Sequence, residues 1–448
     1  MRLSKNIYYS SKFQVILVGI ICFALPGMFA ALNSMGGGGQ VDPTTGAKAN
    51  TVLFGFLSIF GLLGGGIINV FGLRGTLFIA GLTYPLYTGS YAYLNTTKKP
   101  LFTIVSAGVF SIGSGITWAT QGMVMTSYPL EHEKGQFIFI FWIIFSMGGI
   151  LGSLIPLVAG LGNQPLPNSG YYAFVVIQTA GAILTFALLP PSKVIRSDNT
   201  LVVTAKKKNT ANELLQIVKL FKSKSMASIV IIALSSNFYY AYMFNSYNLA
   251  NFNTYSRGFN NLIFYLMAVL GSFTLSRILD LKTTRKKRAI IASIPIWIIF
   301  NIVWICVYIQ QNKFAKLKNL GAFTPYSYKT TGSSYIWPCI IYALFGMIDA
   351  AWQGLAYWFV GSLSNDSTVL PRYTGFFKSV QSIGVATSWA LEIKRVNPKI
   401  QLFINWGLLI VSAPTLIYLC INTKDTSVST EVDLDVNQIQ DKDIENSP

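Results

Sequence analysis

Twelve stretches of this chain stay apolar for close to the roughly 20 residues that a helix needs to cross a bilayer. They are residues 13–34, 51–72, 75–94, 101–125, 136–159, 171–190, 227–249, 261–280, 289–310, 334–360, 374–392 and 400–421. Inside lipid every backbone N–H and C=O must be satisfied within its own segment, so such runs fold as helices; strands of a membrane barrel would be shorter and would alternate. The expected fold class is an all-α integral membrane protein, with the lipid bilayer as its first partner. The first run is long and lacks a convincing small-residue cleavage site, so it is expected to be retained as a helix.

Only 11% of the residues are charged, yet the net charge is +18. Nucleic acid could attract such a surplus, but the Lys and Arg lie in loops between the runs, with no soluble domain to gather them into a recognition face. Topology accounts for them better. With the amino terminus in the cytoplasm, 23 sort to the inside, run ends included, and 11 to the outside, as the positive-inside rule requires. Both termini are then cytoplasmic. The main basic clusters are Lys206, Lys207 and Lys208 in the linker, and "KTTRKKR" from Lys282 to Arg288.

The four cysteines, Cys22, Cys306, Cys339 and Cys420, sit in apolar runs and give neither a disulfide framework nor a CxxC metal site. The single histidine, His132, lies between Glu131 and Glu133 in a polar loop and reads as a solvated residue. No glycine loop with Lys and Ser/Thr cradles a phosphate, and no Ser-His-acid set is credible. No enzyme activity, metal or cofactor is expected.

Six runs, a basic linker and six more runs suggest two parallel repeats: 1–190, then a linker at 191–226, then 227–421, with an acidic disordered cytoplasmic tail at 422–448. Matching positions recur. "LNSMG" ends the first run and "FNSYN" the seventh, pairing Asn33 with Asn245 and Ser34 with Ser246. "TWATQG" in the fourth run and "DAAWQG" in the tenth pair Gln121 with Gln353 and Thr117 with Asp349.

The turn with Gly65, Asn69, Gly72 and Arg74 resembles the signature loop of the major facilitator superfamily, with Asn69 where an Asp is usual. That resemblance implies a cytoplasmic latch, built here on hydrogen bonds from Asn69, Gly72 and Arg74 or on Asp280 with Arg277 and Arg285. "ALNSMGGGGQVDP", "WATQGMVMTSYPLEHEKGQFIFIFW", "SNFYYAYMFNSYN" and "YWFVGSLSNDSTVLPRYTGFFKSVQSIGVATSWAL" together resemble the Unc-ninety-three-like branch of that superfamily, fungal members included. The resemblance implies twelve transmembrane helices in two six-helix halves, with the first, fourth, seventh and tenth lining a central cavity.

Gly36 to Gly39 should end the first helix, since each glycine costs about 1 kcal/mol relative to alanine in a helix interior. The stretch is expected to connect, and to allow a hinge. Gly61 with Gly65, and Gly148 with Gly152, fit close helix crossing.

Asp349 is the acid that falls well inside a run, while Glu392 and Asp280 sit at run ends. A carboxyl in hydrocarbon is expensive unless it faces a cavity, takes a partner or is protonated, which makes Asp349 a proton-coupling candidate. A packing role through a hydrogen bond to a neighbouring helix is the alternative. At helical spacing Asp349, Trp352, Gln353 and Ala356 share one face, and Asn237, Tyr240, Phe244 and Asn248 form a stripe along the seventh run. Together with Asn33, Gln121 and Asn245 they are candidates for a pocket that binds a small solute or an ammonium group. The expected function is secondary transport of a small solute by alternating access, coupled to protons through Asp349. The alternative is a non-transporting regulator or chaperone of an ion channel or receptor, with a membrane-protein partner.

Overall fold

A computed structural model describes residues 7–130, 133–159, 164–202, 220, 223–363 and 370–424. His132, most of the basic linker with Lys206, Lys207 and Lys208, and the tail from residue 425 lie outside the described residues. All twelve predicted runs fold as helices. They are α1 (Ser11–Ser34), α2 (Thr44–Phe71), α3 (Leu73–Thr97), α4 (Leu101–Ser127), α5 (Lys134–Ala159), α6 (Asn168–Leu184), α7 (Lys224–Leu249), α8 (Thr254–Leu279), α9 (Arg285–Asn319), α10 (Ile336–Ser362), α11 (Leu370–Ile393) and α12 (Pro398–Asn422). Among the described residues the only β pairing is at isolated bridges such as Ser10 with Ile195.

Ten of the helices are long and apolar enough to cross a membrane. The other two are α3, diluted by Thr83, Thr88, Ser90 and its tyrosines, and α11, which carries Arg372, Lys378 and Glu392. Starts and stops follow local chemistry. The Ser10, Asn253, Thr284 and Asn397 side chains accept backbone N–H bonds at the starts of α1, α8, α9 and α12, supplying the acceptors that a helix amino end lacks. Gly72, at φ 83°, makes the turn between α2 and α3. The predicted ninth run ends at 310, but α9 continues to Asn319, because Lys and Gln keep a helix going after the apolarity stops.

Burial sorts the helices. In the apolar stretches 72% of α1, 67% of α7 and α10 and 56% of α4 is buried, against 33–39% in the remaining spans of this kind. The first, fourth, seventh and tenth helices are therefore central. The outer ones present apolar side chains outward, as α9 does with Ile298, Ile302, Ile305 and Ile309, all exposed. A patch of that kind suits lipid and not water. Two apolar cores form, one from residues between Val15 and Val202, the other from residues between Met226 and Cys420 with Ala47 and Ile150 added.

Glycines set the closest crossings. Gly148 lies against the Phe23 carbonyl and Gly27 of α1, and Gly152 against Ala31. A Cβ on Gly61 would meet nothing among the described residues, so it makes no tight crossing, and the surroundings of Gly65 lie outside what is described; α2 and α4 approach at Gly64 and Gly115 instead. The reason is one helical step: Gly61 and Gly64 are adjacent on the helix surface, and only Gly64 faces α4. In α8 and α10, a Cβ on Gly271 would collide with the Met347 carbonyl and one on Gly346 with the Phe264 carbonyl. Gly346→Val should destabilise the purified protein by about 1–3 kcal/mol through overpacking. Gly407→Val, where nothing lies within 4 Å among the described residues, should be near neutral in the same thermal-unfolding assay.

Candidate functional site

Asp349 sits on α10 with 8% of its surface exposed. Its Oδ1 accepts hydrogen bonds from the Tyr239 hydroxyl at 2.6 Å, the Gln353 amide at 2.9 Å, the Tyr240 hydroxyl at 3.0 Å and the Asn237 amide at 3.3 Å. The Tyr240 hydroxyl also lies 3.2 Å from Oδ2. Asn237 and Tyr240 share a face of α7 at a spacing of three, as the sequence predicts. Tyr239 does not belong to that face. It joins because α7 loosens there: Tyr239 has ψ −5°, and a π-helical segment, Tyr242–Leu249, follows. A second π segment, Phe23–Gly27 with Pro26 inside it, interrupts α1.

The polar groups continue beyond the carboxylate. Gln353 Oε1 accepts from the Gln381 amide of α11 at 3.2 Å, and Gln381 also donates to the Ser236 hydroxyl at 2.9 Å. The Lys378 ammonium donates to Gln381 Oε1 at 2.8 Å and lies 4.4 Å above the centre of the Trp118 ring of α4. Asp349 and Lys378 are within electrostatic reach of each other. The result is a belt from α7 through α10 and α11 to α4. Sequence reading missed Lys378, because basic residues were taken as loop markers; its signal is a single Lys in the apolar stretch "GFFKSVQSIG".

Other predicted residues lie elsewhere. Trp352 is fully buried and meets Phe300 of α9 with ring centres 5.9 Å apart, packed in the core of the later helices. Phe244 stacks on Tyr240 at 5.0 Å, and the face of the Trp118 ring is taken by Lys378. Gln121 is buried on α4. Asn33 accepts from Asn50 of α2 at 2.7 Å.

Asn245 belongs to a different cluster, at the glycine loop. Its Oδ1 accepts from the Gly37 N–H at 3.0 Å. Gly36 to Gly39 all have positive φ, between 58° and 82°, a region that side chains strain to enter. Gly36 packs against the Phe244 carbonyl and Gly38 against the Tyr91 ring, so the four glycines are docked rather than slack. Asn248 and Tyr342 donate to the Ser34 carbonyl at 3.2 and 3.1 Å. Arg257 of α8, 2% exposed, donates to the carbonyls of Met35 and Gln40 at 3.2 and 3.3 Å. The predicted eighth run begins at 261, after Arg257, which is why this buried cation escaped notice.

At the opposite end of the bundle, the Arg74 guanidinium donates to the Leu188 carbonyl of the same helical set. Arg277 lies over the Phe273 ring at 5.0 Å, and Asp280 accepts from Ser276 at 3.5 Å. Each is turned to its own helix. The Asn69 side chain lies outside the described residues, and Arg285 sits in the turn that opens α9.

Four central helices, eight around them and a buried ionisable cluster between them define a transporter-like membrane architecture. Solved structures agree on the fold. A D-xylose–proton symporter matches with a TM-score of 0.60 at 13% identity, over 93% of this chain and 97% of that chain. An inward-open, partially occluded form of the E. coli xylose transporter gives 0.61 at 13%, over 95% and 98%. The E. coli fucose–proton symporter gives 0.58 at 11%, over 92% and 99%. The family model described as ion channel regulatory protein UNC-93 matches residues 37–392. UNC93-like protein 1 of Arabidopsis thaliana is 39% identical over 410 residues, 91% of this chain and 89% of that protein. An UNC93-like protein of Schizosaccharomyces pombe is 32% identical over 418 residues, 91% and 82%. The chain belongs to the UNC-93 family, on a major facilitator fold.

Tyr239→Phe removes the shortest donor to Asp349 and should lower stability by about 1–3 kcal/mol. In an Asp349→Asn background the same change should cost less, because the charge it serves is gone. Thermal unfolding of the four proteins gives the coupling; an equal loss in both backgrounds would separate Tyr239 from the carboxylate.

Proposed function

We propose that this protein is a secondary transporter that moves a small solute by alternating access, coupled to protons through Asp349. What supports this most is the belt joining Asp349, Gln353, Gln381 and Lys378 at the centre of the bundle. As a stability device it would be a poor one, since apolar packing of similar volume is commonly as stable as a buried charged network. Ionisable groups inside membrane bundles mark ion and substrate paths.

The moving bodies in this reading are α1–α6 and α7–α12, joined by the 191–226 linker, with both termini and the 422–448 tail in the cytoplasm. The docked glycine loop closes one end. Opening it requires Asn245, Asn248 and Arg257 to release α1, while the turns at Gly72, with Asn69 and Arg74, and at Asp280, with Arg277 and Arg285, close the other.

Proton uptake has a local route. As a carboxylate, Asp349 is satisfied by four side-chain donors. Once protonated it carries a donor of its own, and Tyr240, which lies near both oxygens, can reverse its hydroxyl and accept.

Reconstituted protein tests this with a labelled panel of sugars, amino acids, carboxylates and quaternary ammonium ions. Wild-type uptake of the accepted solute should accelerate with a proton gradient toward the solute's destination. Asp349→Asn should lose that acceleration and keep solute exchange. A variant that responds to the gradient like wild type would remove the coupling role.

A second reading, regulation of an ion channel, has the family's description in its favour. Deleting residues 425–448 separates the two. If regulation is the function, a co-purifying channel should be lost while membrane insertion persists; if transport is, solute flux should survive the deletion.

A further inference from the structure

The belt carries one acid and one base, and they differ in what they leave available. Asp349 is almost fully covered, and its carboxylate is surrounded by donors. Lys378 is half-buried. Of the three donors an ammonium carries, Gln381 takes one, and the half-buried Trp118 ring covers one side of the charge. Among the described residues, the pole of the belt with donors still unfilled is positive.

Resting on the transport reading, we propose that Lys378 with Trp118 is the binding site for a small organic monocarboxylate, and that this anion and one proton travel together without net charge. The ligand carboxylate would accept from the Lys378 ammonium, and its apolar part would lie against the Trp118 ring in place of the lysine's own contact. An organic cation that took the same ring would remain beside the Lys378 charge with no anion to offset it.

The stoichiometry follows from charge balance. In the empty protein the Asp349 carboxylate and the Lys378 ammonium cancel. When a proton from the aqueous side adds to Asp349 and a monocarboxylate binds Lys378, one positive and one negative charge have entered together, and the site is again neutral. With the anion alone the site is negative, and with the proton alone it is positive; a net charge in a low-dielectric centre is penalised. The empty and fully loaded forms are then the ones that change conformation, and their interconversion is the coupling. The titratable groups facing Asp349 are Tyr239 and Tyr240 from α7, Tyr265 from α8 and Lys378 from α11. Lys378 is the one cationic side chain among them, so it alone offsets the carboxylate.

The full chain, purified in detergent, is titrated with sodium benzoate, sodium lactate, sodium chloride, tetraethylammonium and glucose, and thermal unfolding is followed. Benzoate or lactate should protect saturably, and the others should not. Lys378→Met should weaken that protection about tenfold or more, as expected for loss of a charged hydrogen bond, and Lys378→Arg should restore most of it. Should Lys378→Met fail to run as a monodisperse species, Trp118→Leu supplies the second variant, with weaker protection by benzoate than by lactate. Protection by tetraethylammonium, glucose or chloride equal to that by carboxylate, protection that survives Lys378→Met, or no protection by either carboxylate would each overturn the proposal.

In proteoliposomes, lactate entry should acidify the lumen without generating a current on a solid-supported membrane, and Asp349→Asn should abolish the acidification. A current with lactate would overturn the neutral stoichiometry. Lys378-dependent binding with no lactate counterflow would defeat transport and leave the binding site standing. Flux of glucose or tetraethylammonium alone would leave transport standing and remove the carboxylate.

Discussion

Hydroxyl and amide donors from two helices converge on a single carboxylate oxygen at the centre of this bundle, and much of the surrounding structure answers to that demand. An ion left bare in hydrocarbon would cost several kcal/mol even after relaxation. To bring a second tyrosine to Asp349, α7 gives up regular geometry at Tyr239 just before its π segment. To keep Gln353 oriented, Gln381 of the next helix bonds its other end, and Lys378 bonds Gln381 in turn. The arrangement is held as a set, because Gln353 and Gln381 each have their donor and acceptor sides assigned by a neighbour.

The other polar concentration lies at the end of α1 and works by shape more than by charge. Four consecutive residues with positive φ thread between α7, Tyr91 and Leu166. A side chain at Gly36 would collide with the Phe244 carbonyl, and one at Gly38 with the Tyr91 ring. Arg257 closes over this turn and is held by carbonyl oxygens rather than by an acid. The glycines therefore do two things in one place: they end a helix, and they present unhindered backbone to the facing helices.

Much of this was legible in the sequence, and the part that was not has identifiable causes. Apolar runs located every helix, since the bilayer allows few alternatives, and the superfamily resemblance placed the first, fourth, seventh and tenth at the centre. The polar detail was harder. Periodicity at 3.6 residues found Asn237 and Tyr240 but not Tyr239, because it assumes the regular helix that α7 abandons. Trp352 shares a face with Asp349 on paper, yet a large indole is better buried against Phe300 than left at a polar belt. Lys378 escaped because a cation in such a chain ordinarily marks a loop, and Arg257 because apolarity there begins later than the helix does. Gly61 misled by a single step around α2, a difference that a one-dimensional pattern cannot resolve without knowing which neighbour the helix faces.

Apart from the Gly37 N–H, which donates to Asn245, the seam between the first six and last six helices has a direction. Asn248, Tyr342, Arg257, Thr254 and Ser379 donate from the later helices to the main-chain oxygens of Ser34, Met35, Gln40, Gln164 and Ser58 in the earlier ones. A carbonyl oxygen is supplied by any residue type, whereas a donor of fixed reach is not. Substitution at these acceptor positions can proceed with the seam intact as long as the backbone path holds, while each donor position tolerates few replacements. The two sides of one interface thus differ in how freely their side chains can be exchanged, with the donor side the more constrained.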